Sequence, residues 1–460
     1  MKNFKINMMH TLAFLIPFWG IMLLELVVRV KAIKDDYVAY SVIFIILMLI
    51  LIAISYILPH KYRQKKKMRF NPILFISWLA LIAFMLYSDI VVPKNYCWLS
   101  LILLILFTGL FFVWSRYDNT NQDRLFSILL FAIETGFLFT SVACFLFRPY
   151  TAEIRYSGLS ANPNVYGLYI ITVWTCLLTK LDYAIGKLSD IKKVAIISLE
   201  FGMAAMFLYL TAARTAFLTV GIISLILFIF RLIYTRRAGK PFLKYVVTLA
   251  VCMTVSFFAS YLALSTLPKM INKPIVYERD RLFTANLGTV CHAAAVDTAE
   301  PPNNPITQLK EEPSPVSRLF DAFKDGASLD SLLNGRISIY KSYISKLDND
   351  GHKKYGRKID GTFVVHAHNN VIQVAYTYGK GAAVAYVVLS VLSIILGIYH
   401  YIKCHDKRKT AAFPMLLIIA FHISSLTESI LMPIQSLLAF CFYLCIGYLM
   451  IAHTPRLKRR

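Results

Sequence analysis

Charged side chains are scarce in this sequence. Only 16% of its 460 residues are Asp, Glu, Lys or Arg, whereas about a quarter are charged in soluble globular proteins, and 58% are hydrophobic. The mean hydropathy is +0.60. Acidic residues are the scarcest, because 25 Asp and Glu stand against 49 Lys and Arg. This composition excludes intrinsic disorder and an ordinary cytosolic enzyme.

Cysteine is also sparse and has no framework spacing. Seven of the eight cysteines lie in or beside apolar stretches, where a thiol acts as a small hydrophobe, and only Cys291 lies elsewhere. A disulfide scaffold is therefore excluded. His366 and His368 are separated by one residue, but no third ligand follows at a suitable spacing, so we expect neither a metal nor another cofactor.

Long apolar stretches dominate instead. A helix needs about 20 apolar residues to cross the hydrocarbon core of a bilayer. Twelve stretches of this kind occur, so the sequence predicts an all-α, polytopic membrane protein with about 12 transmembrane helices. The predicted spans are residues 10–28, 37–58, 70–92, 96–115, 124–147, 165–181, 193–212, 215–233, 243–267, 376–402, 411–431 and 434–452.

One junction between spans has no loop signal. Residues 193–233 read as continuous helix, which at 1.5 Å per residue would be roughly twice as long as the bilayer core is thick. The chain must therefore reverse near Thr211 to Thr215. This reversal places Arg214 at a membrane surface.

The distribution of basic residues predicts the topology. With the N-terminus in the cytoplasm, more than half of the Lys and Arg residues fall in cytoplasmic segments, as the positive-inside rule requires. Both termini are then cytoplasmic, residues 1–267 form nine transmembrane helices, 268–367 form an extracytoplasmic loop, and 368–460 form three more helices. The net charge of +24 thus indicates topology and contact with anionic membrane lipid, not nucleic-acid binding.

The long loop contains an amphipathic helix with an arginine on its apolar stripe. Ser328 is a candidate N-cap, and apolar residues follow at helical spacing. Arg336 lies four residues after Leu332 and four before Tyr340. The arginine either snorkels at the edge of the stripe or points a guanidinium at a buried anion such as phosphate.

Ionisable groups also occur at the end of the loop and inside the spans. A neutral imidazole of His366 or His368 could accept a proton from a hydroxyl, or could be a surface histidine bonded to backbone. Four glutamates fall within predicted spans, where a carboxylate is costly and indicates pairing, a functional site or a transporter's proton relay. These acids are Glu25, Glu134, Glu200 and Glu428.

Three motifs together resemble the O-antigen ligase and O-antigen polymerase family. Arg214 followed by Leu218 fits the family's pattern of Arg, three residues, Leu, and His368-Asn369 followed after nine residues by Gly379 fits its His-Asn to Gly pattern. Asn334-Gly335-Arg336 with Tyr340 is similar to a Gly-Arg motif whose aromatic is usually Trp. The resemblance covers residues 160–430 most specifically.

The resemblance implies a glycosyltransferase without a metal. Its donor would be a glycan linked to undecaprenyl pyrophosphate, and its acceptor a hydroxyl of another glycan or of a lipid-anchored molecule, at the outer face of the cytoplasmic membrane. Arg214 and Arg336 would stabilise the pyrophosphate leaving group, and His368 would deprotonate the acceptor. Further substrate-binding positions implied by the resemblance are Asn162, Asn164, His366, Asn369 and Glu428.

Two alternatives remain open at this stage. Ligase and polymerase differ only in the acceptor, and no motif distinguishes them. A polysaccharide flippase or another multispanning transporter would also have about twelve spans and buried charges, although no internal repeat of the kind common in transporters is visible.

Overall fold

The computed structural model describes the greater part of the chain. The described residues are 8–27, 37–58, 70–93, 98–150, 155–160, 162–186, 191–238, 243–273, 336–359, 362–434 and 436–451. Several sequence-based predictions lie outside these ranges, including the N-cap at Ser328, the first part of the loop helix and both chain termini.

The described chain is predominantly helical. The first ten helices are α1 (Met8–Val27), α2 (Tyr37–Ile57), α3 (Pro72–Val91), α4 (Trp98–Leu101), α5 (Thr108–Trp114), α6 (Asn119–Phe147), α7 (Pro163–Gly186), α8 (Ile191–Thr211), α9 (Arg214–Ala238) and α10 (Leu243–Ile271), with a π-helical turn, Ile102–Phe107, joining α4 to α5. The later elements are α11 (Arg336–Ile344), β1 (Arg357–Ile359), β2 (Thr362–Val364), α12 (Asn370–Cys404), α13 (Ala412–Ser425) and α14 (Leu437–Ile451).

The prediction of a helical, polytopic membrane protein is confirmed. Eight helices are long and apolar enough to cross a membrane: α2, α3, α6, α7, α8, α9, α10 and α12. Four shorter apolar helices lie at Met8–Leu24, Leu99–Trp114, Ala412–Ser425 and Leu437–Ile451, which are the positions of the other four predicted spans. The described residues agree with the all-α class, and their strands are limited to the short antiparallel hairpin of β1 and β2, in which Lys358 pairs with Phe363.

The packing separates central helices from peripheral ones. Every residue of α14 is buried, and α7 is buried along most of its length. By contrast, α10 packs mainly on α8 and exposes Val251, Val255 and Phe258. Exposed apolar side chains on an outer helix are the expected surface toward lipid.

The chain reverses where the length argument requires. Helix α8 ends at Thr211 and α9 begins at Arg214, and the intervening Ala212 has φ of 47°, in the left-handed region. Helix α10 continues through Pro268 to Ile271, one turn beyond the end of the predicted span.

Helix α12 begins before the predicted span and contains a break. Its first residue is Asn370, and Gly379 has φ of 88° and ψ of 168°, which are not helical. The segment from Asp348 to Gly351 packs over this break: the Lys380 amide donates to the Asp348 carbonyl at 3.2 Å. A Cβ on Gly379 would lie 1.9 Å from the Asn349 oxygen, so both the backbone conformation and the packing require glycine.

The substitution Gly379→Ala is therefore expected to lower the free energy of unfolding by more than about 1 kcal/mol, since alanine is incompatible with the positive φ and collides with backbone. Thermal unfolding of the purified protein in detergent measures the effect. Gly221→Ala is the matched control, because a Cβ there meets nothing within 4 Å. Equal thermal midpoints for the two variants would show that the break does not constrain the fold.

Candidate functional site

The predicted site residues lie at one end of the helical bundle. Helices α7, α9 and α12 begin at this end, and α8 and α13 finish there. Because successive helices run in opposite directions, residues far apart in sequence meet at this end. We call the cluster around Glu428, formed with Asn164, Arg336 and His368, the Glu428 hub.

The Glu428 carboxylate contacts three side chains from three other parts of the chain. Arg336 Nη2 donates to Oε1 at 2.7 Å, and Asn164 Nδ2 reaches the same oxygen at 3.5 Å. His368 Nδ1 lies 3.3 Å from the second oxygen, Oε2. The side chains of Arg336 and Glu428 are only 12% and 13% exposed, so the ion pair is largely shielded from water.

The position of Glu428 corrects a sequence-based expectation. The span predicted over 411–431 ends as a helix at Ser425, and Glu428 lies in the irregular segment before α14. Its carboxylate is therefore at the end of the bundle and not within a span. The Thr427 hydroxyl beside it hydrogen-bonds the Thr215 hydroxyl of α9 at 2.7 Å.

Arg336 is held at the hub by its own helix. It is the first residue described in α11, and Tyr340 lies one turn further along the same helix. The Tyr340 hydroxyl lies 2.8 Å from the Leu426 carbonyl oxygen and 3.1 Å from that of His368, and it can donate to either. The guanidinium thus points into the hub and pairs with Glu428, a carboxylate of the protein itself.

The backbone at His368 is unusual. Its φ of 52° lies in the left-handed region, which is uncommon for a residue other than glycine and is found more often at functional sites. The next residue, Asn369, caps α12: its side-chain oxygen accepts from the amides of Val371 and Ile372 at 2.9 and 3.1 Å. Asn369 Nδ2 also donates to the Leu426 carbonyl. Asn369 therefore has a structural role in fixing the backbone beside His368.

His366 lies against His368, with the ring centroids 4.1 Å apart. Burial is the main cause that lowers the pKa of His366, to about 4, and the neighbouring His368 and Arg336 charges act in the same direction. His366 is therefore neutral at neutral pH. Its Nδ1 atom is buried and has no hydrogen-bond partner among the described residues.

Glu428 remains ionised for a different reason. Burial alone would raise the pKa of its carboxyl group, but the His368 hydrogen bond and the Arg336 guanidinium together hold that pKa below its usual value. Burial raises the pKa of the Tyr340 hydroxyl, so Tyr340 stays a hydrogen-bond donor. The Glu428 hub therefore contains one fixed negative charge, on Glu428, and two partners, Arg336 and His368, that stabilise it.

A second arginine, which the sequence analysis did not select, joins the hub through Asn164. Arg155 Nη2 donates to Asn164 Oδ1 at 2.7 Å, and its Nε donates to the Thr211 carbonyl at 2.8 Å. Asn162 Oδ1 accepts from the Asn164 amide at 2.9 Å, which orders the start of α7. Arg155 lies in the polar segment that precedes α7, and no recognisable motif surrounds it. Only its hydrogen-bond partners therefore identify it as part of the site.

Arg214 is placed close to this group by the backbone. It is the first residue of α9 and half-buried, and the next residue, Thr215, forms the hydrogen bond to Thr427. The structure therefore brings Asn164, Arg336, His366, His368, Asn369 and Glu428 together by direct contacts, with Asn162 and Arg214 beside them.

Two guanidinium groups are linked to the Glu428 carboxylate among the described residues, Arg336 directly and Arg155 through Asn164. Guanidinium groups held by fixed partners in a shielded place suit recognition of an anionic ligand. Within the described ranges, no group of three His, Cys, Asp or Glu side chains is arranged to hold a metal ion.

No protein-family model and no curated protein matches this chain.

The lowered pKa of His366 predicts acid sensitivity. In the unfolded chain this histidine binds a proton near pH 6.5, whereas in the folded protein His366 binds one only near pH 4. The contribution of neutral His366 to stability is therefore complete above about pH 6.5 and is lost as the pH falls towards 4. His366→Asn, which cannot titrate, is expected to make the pH dependence of the thermal midpoint shallower across this window, by up to about one bound proton. Lys358→Ala, at an exposed position of β1, is the control. Identical slopes in wild type and His366→Asn would contradict the assignment.

Proposed function

We propose that this protein is an O-antigen ligase-like glycosyltransferase, of ligase or polymerase type. It would transfer a glycan from undecaprenyl pyrophosphate to an acceptor hydroxyl during assembly of a surface polysaccharide. The proposal needs no metal or other cofactor. The twelve-span topology, the location in the cytoplasmic membrane and the cytoplasmic position of both termini belong to the same proposal, with the Glu428 hub at the outer face.

One observation supports this proposal above the others. Arg336 and His368 lie 92 and 60 residues from Glu428 in sequence, yet both bond the same carboxylate. Two of the three motifs behind the family resemblance are thus in contact, and the third, at Arg214, begins the adjacent helix. The arrangement combines a candidate base with fixed cations in one shielded place.

The contact between Glu428 and His368 suits general-base catalysis. If Nδ1 carries the proton and donates it to the carboxylate, Nε2 keeps a lone pair that can accept the proton of an acceptor hydroxyl. The ionised Glu428 would then stabilise the imidazolium, as a carboxylate does in other catalytic dyads. His366 is neutral, so it does not compete with His368 for the negative charge of Glu428.

The arginines would act on the other reactant. As the acceptor oxygen bonds to the anomeric carbon, the bond from that carbon to the pyrophosphate oxygen breaks and negative charge grows on the leaving group. Guanidinium groups fixed in a place of low dielectric constant stabilise such growing charge without reorganising. A single displacement of this kind gives inversion at the anomeric carbon. Arg336 and Arg214 are assigned this role, and Asn162, Asn164 and Asn369 would position the substrates or the backbone around them.

A membrane bundle suits this donor because a polyprenyl tail cannot leave the bilayer. The partners of the protein would then be membrane lipid, the lipid-linked glycan and a glycan or lipid-anchored acceptor. Deletion of the protein in its host separates the two acceptor classes. A glycan ladder that collapses to single repeats would indicate a polymerase, and loss of anchored glycan with accumulation of lipid-linked polymer would indicate a ligase.

Transport of a polysaccharide is the second candidate function. It is favoured by a partly shielded ion pair between Lys180 and Glu134 of the helices α7 and α6, because charges within apolar helices commonly mark transport paths. The two functions differ in their products. Purified protein incubated with undecaprenyl-pyrophosphate glycan and candidate acceptors, without an energy source, would release undecaprenyl pyrophosphate only if it is a transferase.

We expect His368→Ala to lower the rate of glycan transfer by roughly 100-fold to 10,000-fold, since the general base is lost. For Arg336→Ala and Arg214→Ala we expect a loss of about 100-fold or more, because the leaving group loses a fixed cation. Mass analysis of the products measures the transfer. Lys341→Ala removes an exposed cation from the same helix as Arg336 and should keep full activity. Full activity of any of the three site variants, at equal protein level in the membrane, would remove that residue from the mechanism.

Glu428→Gln keeps the shape of the side chain but removes its charge. We expect at least about a tenfold loss of transfer rate, because the imidazolium formed in the reaction loses its stabilising carboxylate. Glu428→Asp, which keeps the charge, should recover part of the rate. A change in the pH profile of the transfer rate in Glu428→Gln would distinguish this electrostatic role from simple disruption of the fold. An unchanged rate and profile would contradict the role.

A further inference from the structure

Three charged side chains meet within the bundle, away from the Glu428 hub. Lys180 of α7 forms an ion pair with Glu134 of α6, and their side chains are 30% and 12% exposed. Glu200 of α8 is 8% exposed, and its Oε2 atom is buried with no hydrogen-bond partner in the described part of the chain. We call these three residues the lysine-diglutamate cluster.

The helix geometry brings two of the three residues, Lys180 and Glu134, together at the interface between α6 and α7. On α6, Leu130 and Glu134 are four residues apart and share a face, as do Cys176 and Lys180 on α7. The Cys176 thiol donates to the Leu130 carbonyl at 3.2 Å, one turn from the contact between Lys180 and Glu134. The interface between α6 and α7 is therefore fixed by two contacts in register.

Glu200 lies on α8, which packs on α7. The ring of the next residue, Phe201, contacts the Trp174 ring of α7 with the centroids 4.8 Å apart, so this part of α8 lies against α7. Lys180 and Cys176 of α7 both interact electrostatically with Glu200. The second carboxyl is thus near the ammonium, although the ammonium already pairs with Glu134.

The charges of this cluster do not balance when all three groups are ionised. Two carboxylates and one ammonium leave one negative charge inside an apolar bundle, where an uncompensated ion is costly. Water and mobile ions do not neutralise it as they would at a surface. One further positive charge must be bound within the cluster.

We propose that the lysine-diglutamate cluster is a proton-binding site that holds one exchangeable proton, carried by Glu200 while Lys180 pairs with Glu134. The proton brings the net charge of the cluster to zero and gives the Glu200 carboxyl group an O–H that can donate a hydrogen bond. The site is separate from the proposed glycan transfer and is independent of it. Because the ammonium interacts with both carboxylates, the proton can pass to Glu134 when Lys180 turns to Glu200.

Infrared spectroscopy of the purified protein in lipid nanodiscs tests the proposal, since a protonated carboxyl has a C=O stretch distinct from that of a carboxylate. We expect this band at neutral pH in the wild type, shifted by ¹³C-glutamate labelling and by exchange into D₂O. These two shifts need no variant, so they decide the question even where a substitution prevents folding. Absence of the band in the wild type would overturn the proposal.

The variants test whether the three residues share the proton. In Glu200→Gln and in Glu134→Gln one carboxyl remains beside Lys180, so the charges balance and the band should disappear in both. In Lys180→Met both carboxyls lose their cation, so the band should roughly double. Glu428→Gln is the control and should leave the band unchanged. A band that persists in Glu134→Gln would overturn the shared site.

A metal cation is the competing occupant. If the cluster holds Na⁺ in place of the proton, the band should be absent in buffer containing Na⁺ and appear when Na⁺ is replaced by a large organic cation. That result would overturn the assignment of a proton. An identical band in both buffers would support it.

Discussion

The ionised carboxylate of Glu428 is the interaction on which this end of the molecule depends. It accepts from Arg336 at 2.7 Å and contacts His368 at 3.3 Å, and through Asn164 it is linked to Arg155. These partners come from four different parts of the chain. A shielded carboxylate with a single cation gains little over its desolvation cost, but one with several donors is well compensated. The carboxylate therefore helps to hold α11 over the ends of the helices, together with the contacts of Tyr340 to the Leu426 and His368 carbonyls.

The backbone around the hub adopts conformations that regular helices do not allow. Ala212 and His368 have positive φ, and Gly379 interrupts α12 where the segment from Asp348 to Gly351 crosses it. Ala212 lies in the turn between α8 and α9, His368 lies just before α12, and Gly379 breaks α12. Such backbone costs free energy locally, and the packing and hydrogen bonds around it must offset that cost. The pattern is consistent with a site whose geometry is held before any ligand binds.

The sequence predicts the helices well and the site contacts less well. Apolar length gives the spans, and the reversal near Thr211 follows because one helix cannot be twice as long as the bilayer is thick. From the sequence alone, Arg336, His368 and Glu428 can each be identified as a candidate site residue, either because the residue is unusual in its surroundings or because it belongs to a motif. Their mutual contacts cannot be derived, because pairing across 60 to 92 residues depends on how the helices pack. Arg155 has no local signal at all, and the end of α13 at Ser425 is hidden because apolar residues resume at Ile430, only a few residues beyond it.

The hub and the lysine-diglutamate cluster both contain shielded carboxyl groups, and each is compensated in a different way. In the hub, the Glu428 carboxylate has the Arg336 guanidinium at 2.7 Å and His368 at 3.3 Å, so its charge is met by partners from other parts of the chain. In the cluster, Lys180 pairs with Glu134, while Glu200 Oε2 has no hydrogen-bond partner among the described residues. A buried carboxyl group without a cation of its own favours the protonated state, because an uncompensated ion is costly in apolar surroundings. The proposed proton on Glu200 would therefore keep the interior of the bundle electrically neutral.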